Sequence, residues 1–149
     1  MIKIVAIAAG LLLAATALAA GAQQLKPETQ VKLRKSAYAL MNYNFASLAA
    51  MAEGKKPYNR DEAARNADMV AMLADVPKAF FGEGTDKGET RAKPEIWQKR
   101  QDFDAKMDKM IQETRKLPQA ARADLASLEK AVDAAGGACK ACHDDYRNK

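Results

Sequence analysis

Seven residues near the C-terminal end, Cys139-Lys140-Ala141-Cys142-His143-Asp144-Asp145, constrain this chain more than any other stretch. A Cys-x-x-Cys-His run is the attachment signature of a c-type haem. The two thiols add across the two porphyrin vinyl groups, and the adjacent imidazole ligates the iron from one face. Helical geometry suits the spacing. Cys139 and Cys142 are three apart and His143 lies four beyond Cys139, so all three share one side of a helix. The rest of the fold must then leave room for a porphyrin beside that helix.

Other uses of paired cysteines fit less well. A structural zinc site takes four Cys or His ligands, and the chain holds two Cys and one His in all. A thioredoxin-like redox pair belongs beside a βαβ pattern, and no stretch here alternates strand with helix. A plain disulfide between the two cysteines is the remaining alternative, and thioether attachment would leave no thiol for one.

Residues 1–22 have the layout of a secretory signal peptide. Lys3 precedes the apolar run Ile4–Leu18, followed by small residues with a small-x-small site at Ala20-Gly21-Ala22. Cleavage there starts the mature domain, 23–149, at Gln23, with no membrane anchor left and a periplasmic location expected. Covalent haem attachment is extracytoplasmic chemistry, so leader and motif agree. The formal net charge of +5 falls by one with Lys3. Basic and acidic residues are interleaved, so no nucleic-acid footprint stands out.

The domain reads as all-α, an antiparallel four-helix bundle with covalently bound haem near one end. Pro27 opens the first helix, where a missing N–H costs nothing. Its apolar stripe is Val31, Tyr38, Met41, Phe45 and Leu48, and Gly54-Lys55-Lys56-Pro57 ends it. Asn59 and Glu62 form the N-cap pair of the second helix, with Ala63, Val70 and Leu73 facing inward and Pro77 beyond its end. The glycine-rich stretch from Phe81 to Lys93 is too long for a tight turn and is expected to cross one end of the bundle or line a ligand. Pro94 starts the third helix, with a seam at Ile96, Arg100, Phe103, Met107, Met110, Thr114 and Leu117. Pro118 is expected to separate it from a fourth whose seam runs Ala121, Leu125, Leu128, Val132, Ala135, Cys139, Cys142 and Tyr146. Gly136-Gly137, one turn before Cys139, costs the helix roughly 2 kcal/mol relative to alanines. Close approach of a neighbour or a local kink would account for the pair.

Cys-Lys-Ala-Cys-His-Asp-Asp-Tyr-Arg, Arg34-Lys35-Ser36-Ala37-Tyr38-Ala39-Leu40-Met41 and Pro94-Glu95-Ile96-Trp97 together resemble the cytochrome c′ family, the four-helix class II cytochromes c. The resemblance covers nearly all of residues 23–149. The haem motif alone is common to c-type cytochromes, and its place beside the C-terminus singles out class II. The resemblance implies a periplasmic homodimer with one haem c per subunit, attached through Cys139 and Cys142. It makes His143 the proximal iron ligand, with the distal face carrying the non-ligating Tyr38. Arg34 matches an arginine that approaches a haem propionate, and Lys35, Glu89 and Thr90 match further haem contacts. Arg147 matches a basic residue beside the proximal histidine.

The residues themselves support parts of this. With one His per chain, a bis-histidine haem within one subunit is impossible, which leaves Met, Lys, a tyrosinate, water or nothing as sixth ligand. Tyr38 lies on the first helix's seam, and a neutral phenol is a poor iron ligand. Arg34, one turn earlier, is placed for charge-assisted hydrogen bonds to a propionate. Met41, one turn later, is the rival ligand, while Phe81 joins Tyr38 and Met41 in the distal pocket. Two functions follow. An open sixth position takes the diatomic gases NO and CO, and nitric oxide binding or detoxification is the role the resemblance favours. A Met-ligated, six-coordinate haem serves as an electron carrier to an unidentified redox partner. No acid–base or nucleophile constellation stands out, so no turnover enzyme is expected. Leu33, Leu40 and Ala49, off the main seam, are expected to face a second subunit.

Overall fold

The computed structural model describes residues 25–149, and the expected signal segment 1–22 lies outside them. Six helices make up the bundle: α1 (Pro27–Ala52), α2 (Arg60–Leu73), α3 (Glu95–Gln98), α4 (Arg100–Thr114), α5 (Leu117–Ala123) and α6 (Leu125–Tyr146), with a 3-10 turn at Val76–Phe80. Helix α1 packs on α2 and α6, α4 packs on α6, and α5 packs on both α2 and α6. Helices α4 and α5 together form the third arm of a four-helix bundle. No helix among the described residues is long and apolar enough to cross a membrane.

Local chemistry sets the helix ends. Pro27 stands in the first turn of α1 and Glu28 complements its dipole. At the other end the chain turns through Gly54 at φ 69°, a left-handed conformation that costs glycine nothing. The Asn59 side chain accepts from Glu62 N–H at 2.9 Å and caps α2. Glu62 does not close a capping box. Its carboxylate goes to Lys56 and Ser47.

Two boundaries differ from those the sequence suggests. The expected third helix breaks at Lys99 (φ −116°, ψ 45°) into α3 and α4. Arg100 is consequently no seam residue; it lies exposed and pairs with Asp104 at 3.0 Å. The turn into the last helix lies at Asp124, not Pro118. Asp124 is extended (φ −160°, ψ 174°) and caps α6 by accepting from Ser127 N–H at 2.7 Å. Pro118 sits in the first turn of α5, where its missing N–H has no partner to lose. Ala121 therefore belongs to the third arm. Helix α6 continues unbroken past Gly136 and Gly137, and a methyl group on Gly136 would meet Phe45 at an ordinary 3.8 Å.

Two apolar clusters hold the bundle. One joins Leu48, Met51, Val70, Leu117, Leu128 and Val132, with Ala63, Ala67, Ala121 and Ala135 letting the helices approach. Leu128 is fully buried there, and its truncation to Ala would cost about 2–5 kcal/mol. The other joins Met41, Phe81, Ile96, Phe103, Met107, Met110, Cys142 and Tyr146. Its rings pack edge-on, Phe81 to Phe103 at 4.7 Å and Phe103 to Tyr146 at 5.4 Å between centroids. Both cysteines of the Cys-x-x-Cys-His run lie in or against this second cluster.

The long loop after Phe81 is fastened at both ends. A methyl group on Gly82 would come within 2.8 Å of the Gln30 amide oxygen, so a larger residue here would make the Gln30 side chain shift. Farther along, Ala92 bridges to Arg147, Lys93 N–H donates to Tyr146 O at 3.0 Å, and Asn148 N–H to Arg91 O at 2.8 Å. Lys93 Nζ also reaches the carbonyls of Asp144 and Asp145. The loop thus closes over the end of α6, beside the cysteine motif.

Candidate functional site

A cavity of about 940 Å³ opens between α1, α4, α6 and the long loop. Helix α6 supplies Cys139, Cys142, His143 and Tyr146. Helix α1 supplies Arg34, Lys35, Tyr38 and Met41, and α4 supplies Phe103, Met107 and Met110. Phe81, Glu89 and Thr90 come from the loop, and Arg147 from the end of α6. Every site residue named from the sequence therefore borders this one space.

The α6 wall carries the motif chemistry. Neither cysteine is in a disulfide. Burial keeps both as protonated thiols, with Cys142 pushed up to about 11 by burial and then by Cys139 beside it. Burial also lowers the His143 pKa, and the Arg147 charge adds to the effect. The imidazole is thus held in its neutral, ligating form. Arg147 stands beside the histidine, its backbone N–H donating to His143 O at 3.1 Å.

Across the cavity, the Tyr38 hydroxyl donates to Met107 Sδ at 3.5 Å. Burial raises its pKa strongly, and the nearby Cys142 raises it further, so the phenol stays neutral. Met41 is buried one turn beyond it. Beyond Arg34, Lys35 and Asn42, this wall is apolar apart from one phenol pointed at a thioether.

Arg34 is 3% exposed, and no described carboxylate pairs with it. Its Nη1 donates to Phe80 O at 3.0 Å and to Thr85 Oγ1 at 3.3 Å. Its Nη2 donates to Thr85 O at 3.0 Å and to Thr90 Oγ1 at 2.7 Å. The guanidinium also lies 4.3 Å from the Phe81 ring centroid, a cation–π distance. Lys35, at the rim, reaches Glu89 O at 3.1 Å. A buried cation held only by neutral acceptors calls for a negative charge nearby. A haem propionate would supply one, and the cavity volume, the two thiols and the neutral imidazole suit the rest of the group. The residues present fit haem c.

Three features of the site carry no distinct signal in the sequence. Thr85, fully buried, anchors Arg34 from a loop position that shows no periodic signal. Met107, read as seam, is also the acceptor for Tyr38. The Tyr146 hydroxyl donates to Asp102 Oδ2 at 2.5 Å; only the i, i+4 relation of Tyr146 to Cys142 hinted at a place by the site.

Comparisons with known proteins agree with this geometry. The family described as Cytochrome C′ matches residues 29–147. Cytochrome c′ of Rubrivivax gelatinosus is 41% identical over 126 residues, spanning 83% of this chain and 98% of its own. The crystal structure of that organism's cytochrome c′ superposes with a TM-score of 0.81, covering 85% of this chain and 100% of the other. A nitric oxide complex of a mutant cytochrome c prime from Alcaligenes xylosoxidans superposes at 0.78, with 38% identity and coverage of 85% and 99%. With its bundle, its cavity and its Cys-x-x-Cys-His helix, the chain belongs to the cytochrome c′ family, whose members bind haem c.

Proposed function

We propose that the protein is an exported, periplasmic haem protein that binds NO or CO at the face shielded by Tyr38 and can pass electrons, serving in nitric oxide binding or detoxification. The observation that carries this reading is that Cys139, Cys142 and His143 share one cavity with Tyr38 and Met41. Bound haem supplies an iron centre that accepts a diatomic ligand and changes oxidation state.

The chain's residues do the rest. Cys139 and Cys142 hold the group through thioethers, and His143 offers its neutral imidazole from one side. Arg34 and Lys35 would offer positive charge to the propionates, with Thr90 holding the guanidinium in place. Tyr38, Met41 and Phe81 keep the opposite side apolar and exclude water. The buried phenol retains its proton and so does not become an anionic ligand. Small uncharged diatomics are the ligands such a wall admits at least cost. The nitric oxide complex of the Alcaligenes relative supports the same ligand class.

The thioethers of Met41, Met107 and Met110 on the cavity wall support a second reading, a six-coordinate electron carrier with Met41 as ligand. A visible absorption spectrum separates the two. Broad high-spin bands that shift on adding NO to the reduced protein are expected. Sharp low-spin bands that resist NO would overturn the gas-binding reading in favour of the Met-ligated one.

The protein is also proposed to form a homodimer through α1 and α2. Leu33, Leu40 and Tyr43 on α1 and Met69 and Met72 on α2 are exposed large apolar residues, and each set repeats at helical spacing. A second copy of the same face is the partner. Ala49, expected at that face, instead packs against the inner cluster.

A further inference from the structure

We infer that Tyr146 and Asp102 form a proton-coupled electron donor to the haem site, so that the protein also quenches hydrogen peroxide reacting there. The inference rests on haem c being held by Cys139 and Cys142.

Two tyrosines border the cavity, and their hydroxyl groups are treated differently. Tyr38 donates to a thioether, a weak acceptor and no useful base. Tyr146 donates to a carboxylate at 2.5 Å, the short distance of a charge-assisted O–H···O bond. Its ring is 4% exposed and lies one turn beyond Cys142 on α6, packed edge-on against Phe103. Asp102, in the first turn of α4, is exposed. Lys106, one turn on, pairs with Asp145 instead at 3.0 Å.

A phenol that loses an electron becomes a strong acid. In an apolar wall that loss is prohibitive unless a base already holds the proton's destination. At Tyr146 the two paths diverge: the ring faces the cavity, and the hydroxyl faces a solvated carboxylate. Burial, aided by Asp102, pushes the phenol up to about 12, so the proton stays in place until the electron leaves.

When bound, haem would supply the chemistry that cleaves the O–O bond of hydrogen peroxide, whose two oxygens leave as two waters with two protons drawn from solvent. Of the two electrons taken up, one is drawn from the haem site and one from Tyr146. The Tyr146 proton moves to Asp102 Oδ2, leaving a neutral phenoxyl radical and a neutral carboxylic acid.

The test uses the haem-loaded protein, with haem content read from intact mass. It is mixed with hydrogen peroxide, frozen, and examined by electron paramagnetic resonance. A tyrosyl signal is expected in the parent protein and in Tyr58→Phe, whose ring packs against the Leu48 cluster away from the cavity. Loss of that signal is expected in Tyr146→Phe, which keeps the ring packing, and in Asp102→Asn, which keeps a hydrogen-bond acceptor but removes the base. A parent protein without a tyrosyl signal, or a signal undiminished in Tyr146→Phe or Asp102→Asn, overturns the inference while leaving the proposed function standing. A chain that takes up no haem overturns both.

Discussion

Arg34 Nη2 donates to Thr90 Oγ1 across 2.7 Å, tying α1 to a loop residue 56 positions later. The same hydroxyl accepts from Ala92 N–H at 3.1 Å, just where the loop begins its bridge to Arg147. One side chain thus links the buried cation to the strap over α6.

Thr90→Val should therefore loosen the loop with little change in volume. A hydrogen bond to a charged group contributes about 1.5–3 kcal/mol, so a stability loss of about that size is expected in urea unfolding. Amide exchange should quicken across residues 81–93 and remain slow in α2. Unchanged exchange in the loop would show that Arg34 is held well enough by Phe80 and Thr85 alone.

Tyr38→Ala should open the apolar wall to an incoming ligand. Displacing a packed side chain costs typically about 1–3 kcal/mol, so the affinity of the reduced protein for CO should rise roughly 5- to 150-fold. Met41→Ala should change the resting spectrum little. Equal CO affinity in Tyr38→Ala and the parent would reduce Tyr38 to core packing, and conversion of a low-spin spectrum to high-spin in Met41→Ala would make Met41 the ligand.

The exposed apolar face predicts assembly. Sedimentation at micromolar concentration should give a dimer, and Leu40→Glu combined with Met72→Glu should give monomers with intact helix content. A parent chain that sediments as a monomer would sink the α1–α2 interface.

Glu113 predicts an acid-side dependence. Hydrogen bonds from Lys109 and Lys116, each at 2.7 Å, hold its carboxyl below the usual carboxylate value. A carboxyl that binds its proton less readily folded than unfolded adds stability above its unfolded pKa, and that stability disappears as pH falls through the lower folded value. Urea midpoints should thus drop on going below the ordinary glutamate range, and Glu113→Gln should flatten that drop. Equal slopes in the two proteins would mean that the lysines contribute nothing.

Much of this was readable in the sequence, and the rest fails for identifiable reasons. Cys139, Cys142 and His143 carry their chemistry in their spacing, and the α6 seam from Leu128 to Tyr146 buries as its period requires, with Cys139 half-buried. Asn59 caps α2 as its residue type predicts. The Asp124 turn stayed hidden because the three-and-four spacing of apolar residues runs across it without a slip, and because Pro118 looked like the stronger break. A proline is as content in a first helical turn as after a last one. Phe80 and Thr85 left no trace because a carbonyl and a loop hydroxyl gain their meaning only when folding brings Arg34 to them.

The two apolar clusters give the bundle unequal ends. The one around Leu48, Leu117 and Leu128 is filled by its own side chains, whereas the one around Phe103 and Met107 borders the cavity. Before any porphyrin arrives, the filled end can already fix the mutual register of α1, α2, α5 and α6. The chain then meets its cofactor as a half-set mould, and capture need order only the walls that touch it. Because whatever binds the folded form alone stabilises it, the gain should be local. Haem should slow amide exchange sharply around Phe81 and Tyr146 and scarcely alter it around Leu128.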